Sequence, residues 1–229
     1  RRSRQAARLP LVALAGYTNT GRSTLLNALT RGGAAVNDRL FETLDPTTRA
    51  YDYEGKTYLL TDTVGFIRKL PHQLVEAFRS TLEETLVADL ILHVADASAD
   101  DEELHGMIDA VEGVLAGIGA EKIPRLLVLN KRDRLEPGQE AYLRRVYPEA
   151  LLISALSGAG LEELRQGIGR FFEERLAPVE LLVPYTEGRV IGELYRLGAE
   201  VQMESREDGV HIRARLPRDE VSRFSRFYR

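Results

Sequence analysis

The feature that most constrains this chain is a short unbroken apolar run, Leu11-Val12-Ala13-Leu14-Ala15, followed at once by Gly16-Tyr17-Thr18-Asn19-Thr20-Gly21-Arg22-Ser23 and then by Thr24-Leu25-Leu26-Asn27-Ala28-Leu29. An apolar run without polar interruption suits a strand buried on both faces, as in a parallel sheet. Strand, glycine-rich turn and helix is the context that a phosphate-binding loop requires. Its glycines let successive backbone N–H groups point inward, and the helix N-terminus adds positive potential for phosphate oxygens. The candidate phosphate-binding residues are therefore Gly16, Tyr17, Thr18, Asn19, Thr20, Gly21, Arg22, Ser23 and Thr24, with the Ser23 hydroxyl directed at Mg2+. One position departs from the usual pattern: arginine stands at 22 where such loops carry lysine. Lysine is a compact point charge, whereas arginine is longer, planar and forked.

Further along, strand-like runs alternate with helix-period segments. Tyr51-Asp52-Tyr53 and Thr57-Tyr58-Leu59-Leu60 flank Glu54-Gly55-Lys56, a hairpin signal. Leu90–Val94, Leu126–Leu129 and Leu151–Ile153 read as three more buried strands. Helical spacing appears in Leu74, Val75, Phe78, Leu82 and Leu86, and in Leu161, Leu164, Ile168, Phe171 and Phe172. The stretch from Asp96 to Glu112 holds seven acids and no Lys or Arg, and reads as a solvated helix face. This alternation predicts an α/β fold, a mostly parallel sheet with helices on both faces and one antiparallel edge strand from the hairpin. Pro178 closes the array; Val179–Val183, Glu187–Leu197, Val201–Glu204, Val210–Arg215 and a final helical segment opened by Pro217 then read as a small α+β domain. The expected division is residues 1–9 as a basic linker or the end of an upstream helix, 10–177 as the nucleotide-binding domain and 178–229 as the appended domain.

Two more motifs lie where open parallel sheets bind ligands, at strand carboxyl ends. In Asp62-Thr63-Val64-Gly65 the carboxylate can hold Mg2+ through water and the Gly65 N–H can sense a γ-phosphate. In Asn130-Lys131-Arg132-Asp133, Asp133 can accept from the paired N1 and N2 donors of guanine, which adenine does not offer. Asn130 can bond the base edge and brace the phosphate loop, and the Lys131 stem can cover the ring. Ser154-Ala155-Leu156, after the next strand, brings a backbone N–H near the guanine O6.

On these residues the chain resembles the translation-factor-related GTPases and, among them, the HflX group, a likeness dense over about residues 8 to 176. It is carried by Gly16-Tyr17-Thr18-Asn19, Leu44-Asp45-Pro46-Thr47-Thr48-Arg49, Asp62-Thr63-Val64-Gly65-Phe66-Ile67-Arg68, Leu70-Pro71-His72, Leu74–Arg79 and Ser80–Glu84. The resemblance implies a P-loop GTPase fold, binding of GTP and GDP, Mg2+, and association with the large ribosomal subunit and its RNA. It also implies an N-terminal domain upstream of the basic opening, which has four arginines in Arg1–Arg8. It makes Asn37–Arg49 the first switch segment, with Phe41, Glu42, Thr43, Leu44 and Asp45 at the nucleotide and Thr43 on Mg2+; Thr47 and Thr48 are the rivals. Asn19 matches a position that helps hold K+ in some relatives. Arg22, Thr43 and Gly65 carry catalysis in this reading. Phe66, which cannot accept or donate a proton, stands where Ras-type enzymes place a water-orienting glutamine. Slow intrinsic hydrolysis by in-line attack of water is the expected mechanism.

Other chemistries are poorly supplied. The chain has no cysteine, which excludes disulfides, thiolate metal sites and a cysteine nucleophile, and its net charge of −4 gives no global pull toward nucleic acid. No apolar run approaches the ~20 residues of a membrane span, and a cytoplasmic monomer is expected. His93 reads as a core histidine, and Tyr51, Tyr53 and Tyr58 as sheet packing. Two further readings stand beside the GTPase: a nucleotide-responsive binding module with negligible hydrolysis, and an ATP-using enzyme, which Asp133 disfavours.

Overall fold

The computed structural model describes residues 9–30, 48–62, 85–197 and 199–228. The switch segment with Phe41, Glu42, Thr43, Leu44, Asp45 and Thr47, the run Thr63-Val64-Gly65-Phe66, most of the helix expected from Leu74 to Leu86, and the basic opening Arg1–Arg8 lie outside the described residues. By their contacts the described residues fall into two units, one reaching Gln166 and the other starting at Gly167.

In the first unit β1 (Leu11–Gly16), α1 (Arg22–Thr30), β2 (Thr48–Tyr53), β3 (Lys56–Asp62), β4 (Leu90–Asp96), α2 (Asp101–Gly117), β5 (Arg125–Asn130), α3 (Gln139–Val146) and β6 (Leu151–Leu152) follow one another, and α4 (Leu161–Glu174) begins here and crosses the boundary. The six strands form one sheet in the order β2-β3-β1-β4-β5-β6, with helices on both sides. Every pairing is parallel except β2 with β3, so the hairpin supplies the antiparallel edge, as expected. β1 is central because its residues are small or apolar throughout: Val12, Ala13, Leu14 and Ala15 are fully buried. Ala13 and Ala15 face a cluster with Ile91 and with Val111 and Leu115 of α2, and their size lets the helix approach the sheet closely. The acidic stretch is this helix's exposed side: Asp100 caps it by accepting from the Glu103 N–H at 2.8 Å, and three acids fill its first turn. Acids are favourable there because they face the positive end of the helix dipole.

Chain connectivity places the ligand-binding crevice. From β1 the chain builds β3 on one side and β4 on the other, and this reversal opens a crevice at the strand carboxyl ends. Gly16, Asp62, Asp96 and Asn130 all end strands on that edge, and Asp96 is the register partner of Asn130.

The second unit pairs β7 (Leu176–Val183), β9 (Gly209–Pro217) and β8 (Ala199–Arg206) in the antiparallel order β7-β9-β8, with α5 (Gly188–Leu197) packed through Val190 and Leu194. β7 begins earlier than the Val179 expected from sequence and includes Pro178. β7 is an outer strand of this sheet, where a proline's missing N–H removes no ladder bond. The segment after Pro217 forms 3-10 turns over Val221–Phe227, because its buried anchors Phe224 and Phe227 are three apart, one turn of such a helix. Several arginines of this unit are paired within it: Arg213 with Glu180, Arg223 with Glu193 and Glu220, and Arg226 with Glu187.

Candidate functional site

The loop after β1 closes on itself before it meets any ligand. Thr20 is fully buried and donates its hydroxyl to the Tyr17 carbonyl at 2.9 Å, and the Leu25 N–H bonds the Gly21 carbonyl at 2.9 Å to start α1. Two glycines are required by their neighbours. A Cβ on Gly16 would lie 2.3 Å from the Val94 carbonyl oxygen of β4. Gly21 has φ +89°, and a Cβ there would lie 2.4 Å from Asn130 Nδ2. Asn19 also takes a left-handed conformation, φ 63°, which asparagine tolerates better than most residues.

Asn130 joins three parts of the site. Its Nδ2 donates to the Thr20 carbonyl at 2.8 Å, and its Oδ1 accepts from the Ala155 N–H at 2.9 Å. It is 3 % exposed, so neither bond has water as a ready substitute. The Ser154 hydroxyl donates to Asp133 Oδ1 and also accepts from the Ser157 N–H at 3.0 Å. The expected base-side residues Asn130, Asp133, Ser154 and Ala155 are thus brought together and tied to the loop through Thr20, while Leu156 projects 78 % exposed from the same turn. Lys131, at φ 69°, bonds Asp96 Oδ2 through Nζ at 2.5 Å. Asp96 also accepts from the N–H and hydroxyl of Ser98. Burial works to raise the Asp96 pKa, but the Lys131 and Ser98 bonds outweigh it and hold the carboxyl below its ordinary value.

On the phosphate side, Ser23 Oγ donates to Asp62 Oδ2 at 2.9 Å. Arg22 reaches both ways: Nη1 bonds the Gly16 and Tyr17 carbonyls at 2.7 and 2.8 Å, and Nε bonds Asp62 Oδ1 at 3.0 Å. The Ser23 hydroxyl and Asp62 carboxylate are hard oxygen donors side by side, the kind Mg2+ takes beside phosphates and water, but Arg22 and Ser23 already engage both Asp62 oxygens. Among the described residues no group of three or more His, Asp or Glu side chains could hold a metal by itself. Thr48, a rival for the metal-binding threonine, starts β2 and bonds the Thr61 hydroxyl at 3.1 Å. His93 is buried in β4 against Glu112 at 3.2 Å, and Tyr51 and Tyr58 stack across the hairpin with centroids 5.2 Å apart, so all three belong to the packing.

Sequence reasoning missed Asp96 as a site residue and missed the Arg22–Asp62 pair. Asp96 carried a usable signal, a carboxylate at the end of a buried strand. Its partner Lys131 became evident only once β4 and β5 were seen to pair in register.

Residues 11–131 match the family described as 50S ribosome-binding GTPase, and the chain belongs to that family. Within it the chain is HflX-like. It is 44 % identical over 222 residues to GTPase HflX of Escherichia coli, covering 95 % of this chain and 51 % of that protein. It is likewise 44 % identical over 217 residues to GTPase HflX of Caldanaerobacter subterraneus, covering 94 % and 49 %. The chain therefore spans about half the length of the curated relatives it matches. Among solved structures, a GTP-binding protein from the archaeon Sulfolobus solfataricus in complex with GDP is similar, with 30 % identity and a TM-score of 0.55 over 70 % of this chain and 51 % of that one.

Proposed function

We propose that this chain binds GTP and GDP through residues 10–177 and hydrolyses GTP slowly, with 178–229 as an appended domain. The observation that supports it best is the pair of hydrogen bonds from Asn130, donated to the Thr20 carbonyl and accepted from the Ala155 N–H, because it couples the phosphate loop to the base-recognition turn in one rigid frame. The loop from Gly16 to Thr24 wraps the phosphates with backbone N–H groups, and the N-terminus of α1 adds its positive end. Asp133 accepts from the guanine N1 and N2 donors, the Lys131 stem lies over the ring, and the turn Ser154-Ala155-Leu156 meets O6. Ser23 and Asp62, with Thr43 of the switch segment, would hold Mg2+, which when bound neutralises charge on the β- and γ-phosphates. Tyr17, Thr18, Phe41, Glu42, Leu44, Asp45, Thr63 and Val64 line the nucleotide, and the Gly65 N–H contacts the γ-phosphate. Water is oriented by backbone and switch groups rather than by a side-chain base, since Phe66 offers none. A K+ ion held with help from Asn19 belongs to the same proposal and is tested by comparing turnover in K+ and Na+.

The family description supports association with the large ribosomal subunit, and a cytoplasmic location belongs to the same proposal. No helix among the described residues is long and apolar enough to cross a membrane. A second reading, a nucleotide-responsive module with negligible hydrolysis, is favoured by Arg22, whose guanidinium is engaged by Gly16, Tyr17 and Asp62. Competition of GTP, GDP and ATP against a fluorescent GDP analogue tests the pocket. Guanine nucleotides should displace the probe and ATP should not; equal displacement by ATP overturns the assignment of Asp133. Phosphate release with and without large ribosomal subunits separates the two readings.

A further inference from the structure

Arg22 reaches acceptors on two elements through separate donors of one side chain. Lysine ends in a single ammonium, whereas the guanidinium presents separate donors along a rigid fork. Here one arm, Nη1, holds the carbonyls of Gly16 and Tyr17, while Nε holds Asp62 Oδ1 at the end of β3. The pair is mostly shielded, with side-chain exposures of 11 % for Arg22 and 15 % for Asp62. With Ser23 Oγ on Oδ2, both oxygens of the Asp62 carboxylate are engaged. The carboxylate that would otherwise anchor a divalent cation's water is thus already neutralised by a permanent cation, and a second cation brought beside it meets like charge at short range. Among the described residues Nη2 takes no acceptor.

We propose that Arg22 is a resident cation of the phosphate site, clamped to Asp62, so that the chain holds a guanine nucleoside diphosphate without a divalent cation and binds Mg2+ weakly. The inference rests on the nucleotide-binding reading above and deepens it, because it assigns to one side chain part of the charge neutralisation usually left to the metal. The clamp also joins the start of the phosphate loop to the end of β3, where the chain enters the segment containing Thr63, Val64 and Gly65.

The test is equilibrium titration of the 229-residue chain with a fluorescent GDP analogue, in Mg2+ and in EDTA, for the native form and Arg22→Lys. The native affinity should change by less than about threefold on chelation, whereas the lysine form should lose about tenfold or more, the scale of one charge-assisted bond. A titration of Mn2+ into the GDP-bound protein, followed by electron paramagnetic resonance, should show binding about tenfold tighter in Arg22→Lys than in the native form. Native binding that collapses in EDTA overturns the clamp and leaves the nucleotide reading standing. Equal EDTA sensitivity in the two forms, or equal Mn2+ affinity, also overturns it. Absence of binding in either medium overturns the nucleotide reading and the clamp together. Should Arg22→Lys fail to fold, the native arm alone still decides.

Discussion

Replacing Asn130 by alanine should damage stability and ligand binding together. The side chain is 3 % exposed and satisfies the Thr20 carbonyl and the Ala155 N–H. Its removal leaves an acceptor and a donor without partners in a buried position. Each orphaned group costs about 1–3 kcal/mol, so the loss should be about 2–4 kcal/mol after partial relaxation. With a urea slope of about 2 kcal/mol/M, the unfolding midpoint should fall by about 1–2 M. The assay is urea unfolding followed by circular dichroism, with GDP-analogue binding measured in parallel below the transition. Asn130→Asp separates the two bonds: it keeps an acceptor for Ala155 but turns an oxygen toward the Thr20 carbonyl. That form should be no more stable than the alanine form and should bind the analogue at least as poorly. A midpoint shift below about 0.3 M for Asn130→Ala, where most buried-bond losses exceed ~1 kcal/mol, would refute the claim that Asn130 holds the loop and the base turn in one frame.

Asp133→Asn should lower guanine selectivity by about tenfold or more, the worth of one charged hydrogen bond, as read from GTP against ATP competition; unchanged selectivity would remove Asp133 from base recognition. Gly16→Ala should destabilise the first unit by about 1–3 kcal/mol, because the added methyl would press on the Val94 carbonyl of β4, which is backbone and cannot turn aside; a thermal midpoint equal to that of the native chain contradicts this. Asp96 contributes stability that is present above the unfolded aspartate value of about 3.9 and is lost as pH falls through its lower folded value. Asp96→Asn should therefore flatten the acid limb of the stability profile below about pH 4 while weakening nucleotide binding at neutral pH through Lys131; an acid limb identical to that of the native chain argues against the Lys131–Asp96 contact.

What could be read in the sequence follows from the range over which each interaction acts. The five apolar residues of β1 and the two glycines after them announce strand, turn and helix within one continuous segment, so the loop needed no structure to be seen. The β2–β3 hairpin was similarly local, and so were the strand ends that carry Asp62 and Asn130. Pro178 misled because a proline that stops a central strand is harmless on an outer one, and only the order β7-β9-β8 shows that β7 is outer. The two contacts that most refine the site, Arg22 with Asp62 and Lys131 with Asp96, span 40 and 35 residues. Each depends on which strands are neighbours, and hydrophobic periodicity does not encode that order. β1 lies between β3 and β4, which brings Asp62 and the turn after β4 to opposite sides of the same loop. The arginine at 22 was visible as a departure, but its consequence was not, because the residue a forked cation grips is set by the sheet. At this site Arg22, which departs from the usual loop pattern, also links the ends of β1 and β3, so its effect should appear in metal dependence before it appears in fold.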